Sequence, residues 1–292
     1  GDWSSDVCSS DLCLFYPTFA VEVHGHRGAR AKRPENTLAA FRHALQVGTH
    51  VLEMDLLVSK DGVLVMHHDF RINLRLCRQI GAANFNKSGS KGPAIIDLNV
   101  DEIRSFDCGS IKNPSFPEQV LSPGEVIPTF DEVVELIKAE SPNPSQVKWN
   151  LEMKSKKSQP SFSPKPKLFA QLLLQSISRH NIKPNVILQS FDYRTLEAAR
   201  KIDPTIKISA LAGNKSPSLY RTMKNLKPDY ISPKGSLVTP RLIKTAHSRA
   251  IKVVPWTINS SQDWNTMLHL DVDGIITDDP EGLLKFLKTL SP

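Results

Sequence analysis

Residues 21–58 read VEVHGHRGARAKRPENTLAAFRHALQVGTHVLEMDLLV. The ends of this stretch, 21–26 and 51–58, are short runs of β-branched and other apolar residues, as buried strands require. Between them, residues 37–47 place Leu38, Phe41 and Leu45 on one helical face, behind Asn36 as the expected N-cap. Strand, helix and strand in this order form a parallel crossover unit. The unit recurs. Further strands are expected at 148–154, 186–191, 206–212, 229–232, 252–258 and 274–277, and further helices at 130–140, 167–180, 193–201, 217–226, 240–249, 261–270 and 281–290. Eight parallel strands, each followed by a helix, predict a closed (β/α)8 TIM barrel. An open doubly wound sheet would need a glycine-rich dinucleotide fingerprint after a strand to be favoured, and there is none.

Two stretches break the alternation. Residues 63–67 form a strand-like run only four residues after 51–58, too close for a parallel crossover of a dozen or more residues. They predict an antiparallel hairpin turning at Asp61-Gly62, which brings His68 back roughly level with Glu53. Residues 70–125 have weak periodicity, frequent Gly, Ser, Pro and Asn, and two of the four cysteines. They predict an insertion, either lying over the mouth of the barrel or running as a solvated excursion.

Composition sets the class. At 292 residues, with 40% hydrophobic and 23% charged residues, the chain is ordinary for a globular protein, which excludes disorder and fibrous repeats. No apolar run reaches the roughly 18 residues of a membrane-spanning helix, so no stable membrane insertion is expected. The net charge of +7 permits an anionic ligand. The densest basic stretch, Lys154 to Lys167, has only Phe162 within it and reads as a solvated loop, so nucleic acid is not expected as a partner. Residues 1–12 resemble translated adapter sequence and read as a non-native leader. Residues 13–20 (CLFYPTFA) end like a signal-peptide cleavage site. The expected organisation is therefore a leader over 1–20 and one barrel over 21–292. The expected location is the periplasm or outside the cell, with the cytoplasm as the alternative. In an exported protein Cys77 and Cys108 could pair.

The chemistry concentrates where strands end, which in this fold is the catalytic rim. The first strand ends in His26-Arg27. The second carries Glu53 and Asp55, two apart and so on one face, as are Glu152 and Lys154 on the next. The hairpin returns His68. Three carboxylates among apolar neighbours repel one another unless a cation joins them, and an all-oxygen donor set suits Ca²⁺ or Mg²⁺ better than Zn²⁺. Arg27 and Lys154 supply charge for a phosphate on that ion, and two histidines can serve as general base and general acid. His24 and His67 read as structural.

His26-Arg27-Gly28-Ala29, Pro34-Glu35-Asn36-Thr37, Glu53-x-Asp55, His68-Asp69, Glu152-x-Lys154, Gln189-Ser190-Phe191, Trp256-Thr257-Ile258-Asn259 and the closing run 274–280, in this order, resemble the glycerophosphodiester phosphodiesterase family over almost all of residues 22–290. The resemblance implies a barrel that hydrolyses glycerophosphodiesters to glycerol 3-phosphate and an alcohol, with an insertion where this chain has one. It implies one divalent ion on Glu53, Asp55 and Glu152, phosphate held by Arg27 and Lys154, His26 as base and His68 as acid. Phe191 and Trp256 are expected to wall the glycerol or headgroup, and Gln189 to contact substrate at the rim. Two rivals remain: a phospholipase D toxin-like lyase that leaves a cyclic phosphate, and a non-catalytic phosphate- or lipid-binding barrel. The first is disfavoured by Pro34–Thr37 and Glu152-x-Lys154, the second by the presence of both histidines.

Overall fold

The computed structural model describes residues 21–81 and 91–290; the expected leader lies outside them. Eight strands, β1 (Glu22–Gly25), β2 (Val51–Val58), β3 (Lys148–Met153), β4 (Val186–Ser190), β5 (Lys207–Ala212), β6 (Tyr230–Pro233), β7 (Lys252–Val253) and β8 (Gly274–Thr277), form one sheet. Their order is β7-β6-β5-β4-β3-β2-β1-β8, parallel throughout. The ring closes through Asp273 N to Val253 O (2.9 Å), Ile276 N to Pro255 O (2.9 Å) and Ile258 N to Ile276 O (3.0 Å). β7 is shorter than the expected 252–258 because Pro233 of β6 and Pro255 both lack an N–H, which interrupts the ladders on its two sides. The helices are α1 (Leu38–Gln46), α2 (Phe130–Glu140), α3 (Pro166–His180), α4 (Tyr193–Ile202), α5 (Leu219–Leu226), α6 (Pro240–His247), α7 (Ser261–His269) and α8 (Pro280–Leu290).

The main core is the shell between strands and helices. Leu52, Met54 and Leu56 of β2 meet Phe41, Phe130, Trp149 and Phe169 on one side; Val23, Ile231 and Ile275 meet Met223, Ile243 and Trp264 on the other. With the even positions of β2 facing this shell, period two turns Glu53 and Asp55 inward. The barrel interior holds a small apolar layer of Ile187, Tyr230, Val254 and Ile276. It also holds the buried polar residues His24, Glu53, Asn150, Gln189, Ser209 and Ser232.

The hairpin forms as the short spacing requires: Leu64–Met66 runs antiparallel to β2, with Leu56 opposite Met66 and Val58 opposite Leu64, and Gly62 takes the left-handed turn position at φ 82°. His67 N donates to Asp55 O at 3.1 Å, so continuing the register sets His68 opposite Met54, one residue from the expected level.

The described residues of the 70–125 segment, 70–81 and 91–125, are more structured than their composition suggests. Arg71–Asn73 pairs with Lys91–Ala94, and Arg78–Gln79 with Phe106–Asp107. Ile72, Ile95, Ile103 and Phe106 pack on Leu57 and Val65 as a satellite core. The segment also grips the loop after β1. Buried Gln119 donates its amide to Arg30 O (2.8 Å) and Arg33 O (3.0 Å), Val120 N donates to Lys32 O (2.9 Å), and the Arg30 guanidinium lies 4.9 Å from the Phe116 ring centre. Cys77 and Cys108, both buried, form a disulfide across 31 residues. A loop of that length gives a crosslink stabilisation of about 3–4 kcal/mol. Thiol mapping of the denatured, unreduced protein is expected to find neither cysteine free; recovery of both as thiols would contradict this pairing.

Candidate active site

The loop between β1 and α1 turns sharply to bring its backbone under the carboxylates. Arg27 (φ 52°) and Asn36 (φ 55°) both adopt the left-handed conformation, uncommon outside glycine and strained for arginine. Gly28, at φ 85°, sits where a Cβ would lie 2.7 Å from the Ala40 carbonyl carbon, so only glycine fits. Hydrogen bonds hold the strain: Arg27 N donates to Glu53 Oε2 (2.9 Å) and Asn36 N to Arg27 O (3.1 Å). The left-handed backbone removes Asn36 from the capping position. Thr37 caps α1 instead, accepting from Ala40 N at 3.2 Å. The Asn36 side chain donates to Asp55 Oδ2 (2.9 Å) and accepts from Asp55 N (3.3 Å), tying loop to strand.

Glu53, Asp55 and Glu152 converge as expected. One oxygen from each lies within 4.8 Å of the others, and all three are buried. Asp55 is flanked by Arg27 Nε at 3.1 Å and Lys154 Nζ at 3.5 Å. Burial opposes its charge, but Lys154 and Arg27 hold its carboxyl well below the usual carboxylate range. Glu152 pairs with Lys154 Nζ at 2.8 Å, yet burial still raises it above its ordinary value. Glu53 has no ion-pair partner among the described residues. Among these residues it accepts only from Arg27 N and from Gln189 Nε2 (2.7 Å). Burial first, then the charges of Asp55 and Glu152, push its carboxyl well above the usual range. That is the signature of a carboxylate group short of one positive charge. Two oxygens on one ion at 2.3–2.6 Å can lie at most about 5 Å apart, so this cluster fits a divalent, oxygen-preferring cation.

The two histidines flank the cluster, and both lie near enough to Asp55 to act on its charge. His26 Nδ1 contacts Asp278 Oδ1 at 2.5 Å, and Asp278 Oδ2 accepts from Asn259 Nδ2 at 2.7 Å. A carboxylate only accepts, so the ring donates Nδ1–H and leaves the Nε2 lone pair free. Burial and then Arg27 push His26 below its ordinary 6.5. His68 is more open; its Nδ1 contacts Asp69 Oδ1 at 2.7 Å, and that bond holds Asp69 down at about 2.

Arg27 Nη1 donates to Glu35 Oε1 at 2.6 Å, and Arg30 pairs with Glu35 Oε2 at 2.8 Å, so both guanidiniums share one partly buried acid. Phe191 and Trp256 meet edge to face with ring centres 5.4 Å apart; Phe191 is exposed, and Trp256 Nε1 donates to Ser232 O at 2.8 Å. Gln189 departs from the expected rim contact. It is buried, with Nε2 on Glu53 and Oε1 accepting from Asn150 Nδ2 at 3.1 Å. Asp278, Asn259 and Asn36, which the sequence marks only as motif or cap positions, and Asn150, which it does not mark, carry site contacts as well. Asn150 was within reach, because stepping back two positions from Glu152 on the same strand face reaches it.

Residues 26–282 match the Glycerophosphoryl diester phosphodiesterase family. The Glycerophosphodiester phosphodiesterase of Caldanaerobacter subterraneus subsp. tengcongensis is 31% identical over 271 residues, covering 91% of this chain and 97% of that one. A crystal structure from Silicibacter pomeroyi DSS-3 has a TM-score of 0.83 and 27% identity, covering 92% of this chain and 94% of that one. A phosphodiesterase from Oleispira antarctica, solved in complex with the product sn-glycerol-3-phosphate, shares the fold at a TM-score of 0.73 and 21% identity, covering 94% of this chain and 99% of that one. With a barrel of the same architecture and a match that spans both histidines and all three carboxylates, the chain belongs to the glycerophosphoryl diester phosphodiesterase family.

Proposed function

We propose that the protein hydrolyses glycerophosphodiesters to glycerol 3-phosphate and an alcohol, using one divalent ion, Ca²⁺ or Mg²⁺, on Glu53, Asp55 and Glu152, with His26 as general base and His68 as general acid. The observation that carries this reading is the buried, charge-deficient carboxylate cluster flanked by two histidines, each with its Nδ1 on an aspartate. The activity named for the Caldanaerobacter relative supports the substrate class.

When bound, the ion would offset most of the charge of the three carboxylates and the charge building on the non-bridging phosphate oxygens. Arg27 and Lys154 hold the phosphate by charge-assisted hydrogen bonds. The attacking hydroxyl, from water or from the substrate's own neighbouring carbon, gives its proton to His26 Nε2 as its oxygen bonds to phosphorus. Asp278 keeps the imidazole in the accepting tautomer and stabilises the imidazolium that results. As the bond from phosphorus to the leaving oxygen breaks, His68 gives that oxygen a proton, and Asp69 steadies its ring. Exchange with solvent then resets both histidines; where the substrate's own hydroxyl attacked, the product of this step is a cyclic phosphate, and water opens it in a second displacement with the same proton transfers to give glycerol 3-phosphate. Phe191 and Trp256 offer an apolar wall to the glycerol or headgroup.

The buried Cys77–Cys108 disulfide supports a periplasmic or secreted location. No helix among the described residues is long and apolar enough to cross a membrane.

Phosphorus NMR of the products from glycerophosphocholine tests the reaction. Glycerol 3-phosphate as the accumulating end product is expected; a cyclic phosphate as the end point would replace hydrolysis by lyase chemistry.

A further inference from the structure

The carboxylate with no cationic partner, Glu53, is held by an amide chain that runs down the barrel axis. Gln189 Nε2 donates to Glu53 Oε1 at 2.7 Å, and Gln189 Oε1 accepts from Asn150 Nδ2 at 3.1 Å. The same Asn150 Nδ2 lies 3.4 Å from His24 Nδ1, and His24 Nε2 faces Glu22 Oε2 at 3.7 Å. Asn150, Gln189 and His24 are each 1% exposed, so no solvent competes for these groups.

The two ends of a primary amide are nearly alike in shape, and only hydrogen bonding decides which end faces a neighbour. The end that faces Glu53 matters, because the carbonyl oxygen of Gln189 there would repel the carboxylate. Asn150 presents a donor to Gln189 Oε1, and this leaves Nε2 for Glu53. Asn150 is fixed in turn: beside its Nδ2 lie Gln189 Oε1, which accepts, and His24 Nδ1, which accepts when the ring carries its proton on Nε2, the nitrogen that faces Glu22 Oε2, while its own Oδ1 is buried without a partner. An orphaned buried oxygen is unfavourable, so the orientation persists because the reversed one would set oxygen against Gln189 Oε1 and against the His24 lone pair.

We propose that Asn150, itself aligned by His24, is a positioning residue that sets the polarity of the Gln189 amide and thereby presents Glu53 to the divalent ion. It does not touch substrate. The proposal rests on the reading of Glu53 as an ion ligand, and the experiment separates the two.

Calorimetric binding of Ca²⁺ and of Mg²⁺ is measured on the full chain as wild type, Asn150→Ala, Asn150→Leu, Gln189→Leu and the double variant Asn150→Ala/Gln189→Leu. Outer-shell partners of ion ligands typically contribute about 10–100-fold in affinity. Gln189→Leu is expected to fall in that range, and each Asn150 variant to weaken affinity about tenfold. The double variant is expected to bind no more weakly than Gln189→Leu alone, because Asn150 acts through that amide. In the Asn150 variants turnover at saturating ion should stay near that of the wild type, while the ion concentration for half-maximal activity rises. Asn150→Leu keeps the side-chain volume and serves if the alanine variant does not fold.

Unchanged affinity in the Asn150 variants would overturn the proposal. So would an undiminished Asn150 effect in the Gln189→Leu background, or a loss of turnover at saturating ion with affinity intact. Absence of ion binding by the wild type would remove the ligand reading itself, and this proposal with it.

Discussion

His26→Ala is expected to lower turnover of a glycerophosphodiester by about 10²- to 10⁴-fold, the usual contribution of a general base, while divalent-ion affinity stays unchanged. Asp278→Asn should approach the same loss with little change in shape. An amide in place of the carboxylate no longer fixes the Nδ1–H tautomer or stabilises the imidazolium that forms. The pH dependence has a definite sign. Burial, then Arg27, lowers His26 below 6.5, and Asp278 partly opposes that shift. The acid limb of kcat/KM should therefore lie below pH 6.5 in the wild type and move lower still in Asp278→Asn. His68→Ala should likewise retain ion binding while losing most turnover. Wild-type activity in either alanine variant would remove that histidine from the mechanism.

Glu53→Gln should separate stability from function. Its carboxyl is raised by burial and then by Asp55 and Glu152, so the ionised form destabilises the metal-free fold. The folded value lies above the ordinary 4.5, so the penalty is full at every pH above the folded value and fades as pH falls towards about 4.5. In excess chelator at neutral pH, Glu53→Gln is expected to melt higher than wild type, by about 2–4 °C for each kcal/mol recovered, less the cost of setting its amide nitrogen against Arg27 N or Gln189 Nε2, both donors. Added Ca²⁺ or Mg²⁺ should stabilise the wild type and leave the variant almost unmoved, with activity lost. A lower melting temperature for the metal-free variant would contradict the claim that these charges repel.

Much of this was readable because barrels obey simple periodicities. Leu52, Met54 and Leu56 face the helices, so Glu53 and Asp55 had to face inward, and Glu152 followed by the same step on β3. Five residues between β2 and the hairpin strand Leu64–Met66 were enough to bring His68 back to the rim. The unread part depends on distance or on backbone hand. Asp278 is 252 positions from His26, and nothing local in the closing run says which histidine it serves. Asn36 is a good cap in sequence; its left-handed backbone, which hands the cap to Thr37, arises because its amide is drawn to Asp55 across the loop. Gln119 holds backbone carbonyls nearly ninety positions away, a partnership that leaves no pattern in the chain. Gln189 reads as an amide needing partners inside a strand, and Glu53 and Asn150, distant in the chain, supply them.

The central claim is that turnover requires one divalent ion on Glu53, Asp55 and Glu152. It is tested most directly by stripping the protein with chelator, titrating Ca²⁺ or Mg²⁺ back, and following ion uptake and glycerol 3-phosphate release from glycerophosphocholine in the same samples. Release that is absent after stripping and returns in step with uptake of one ion per chain is the predicted result. Full release from the stripped, folded protein would contradict it.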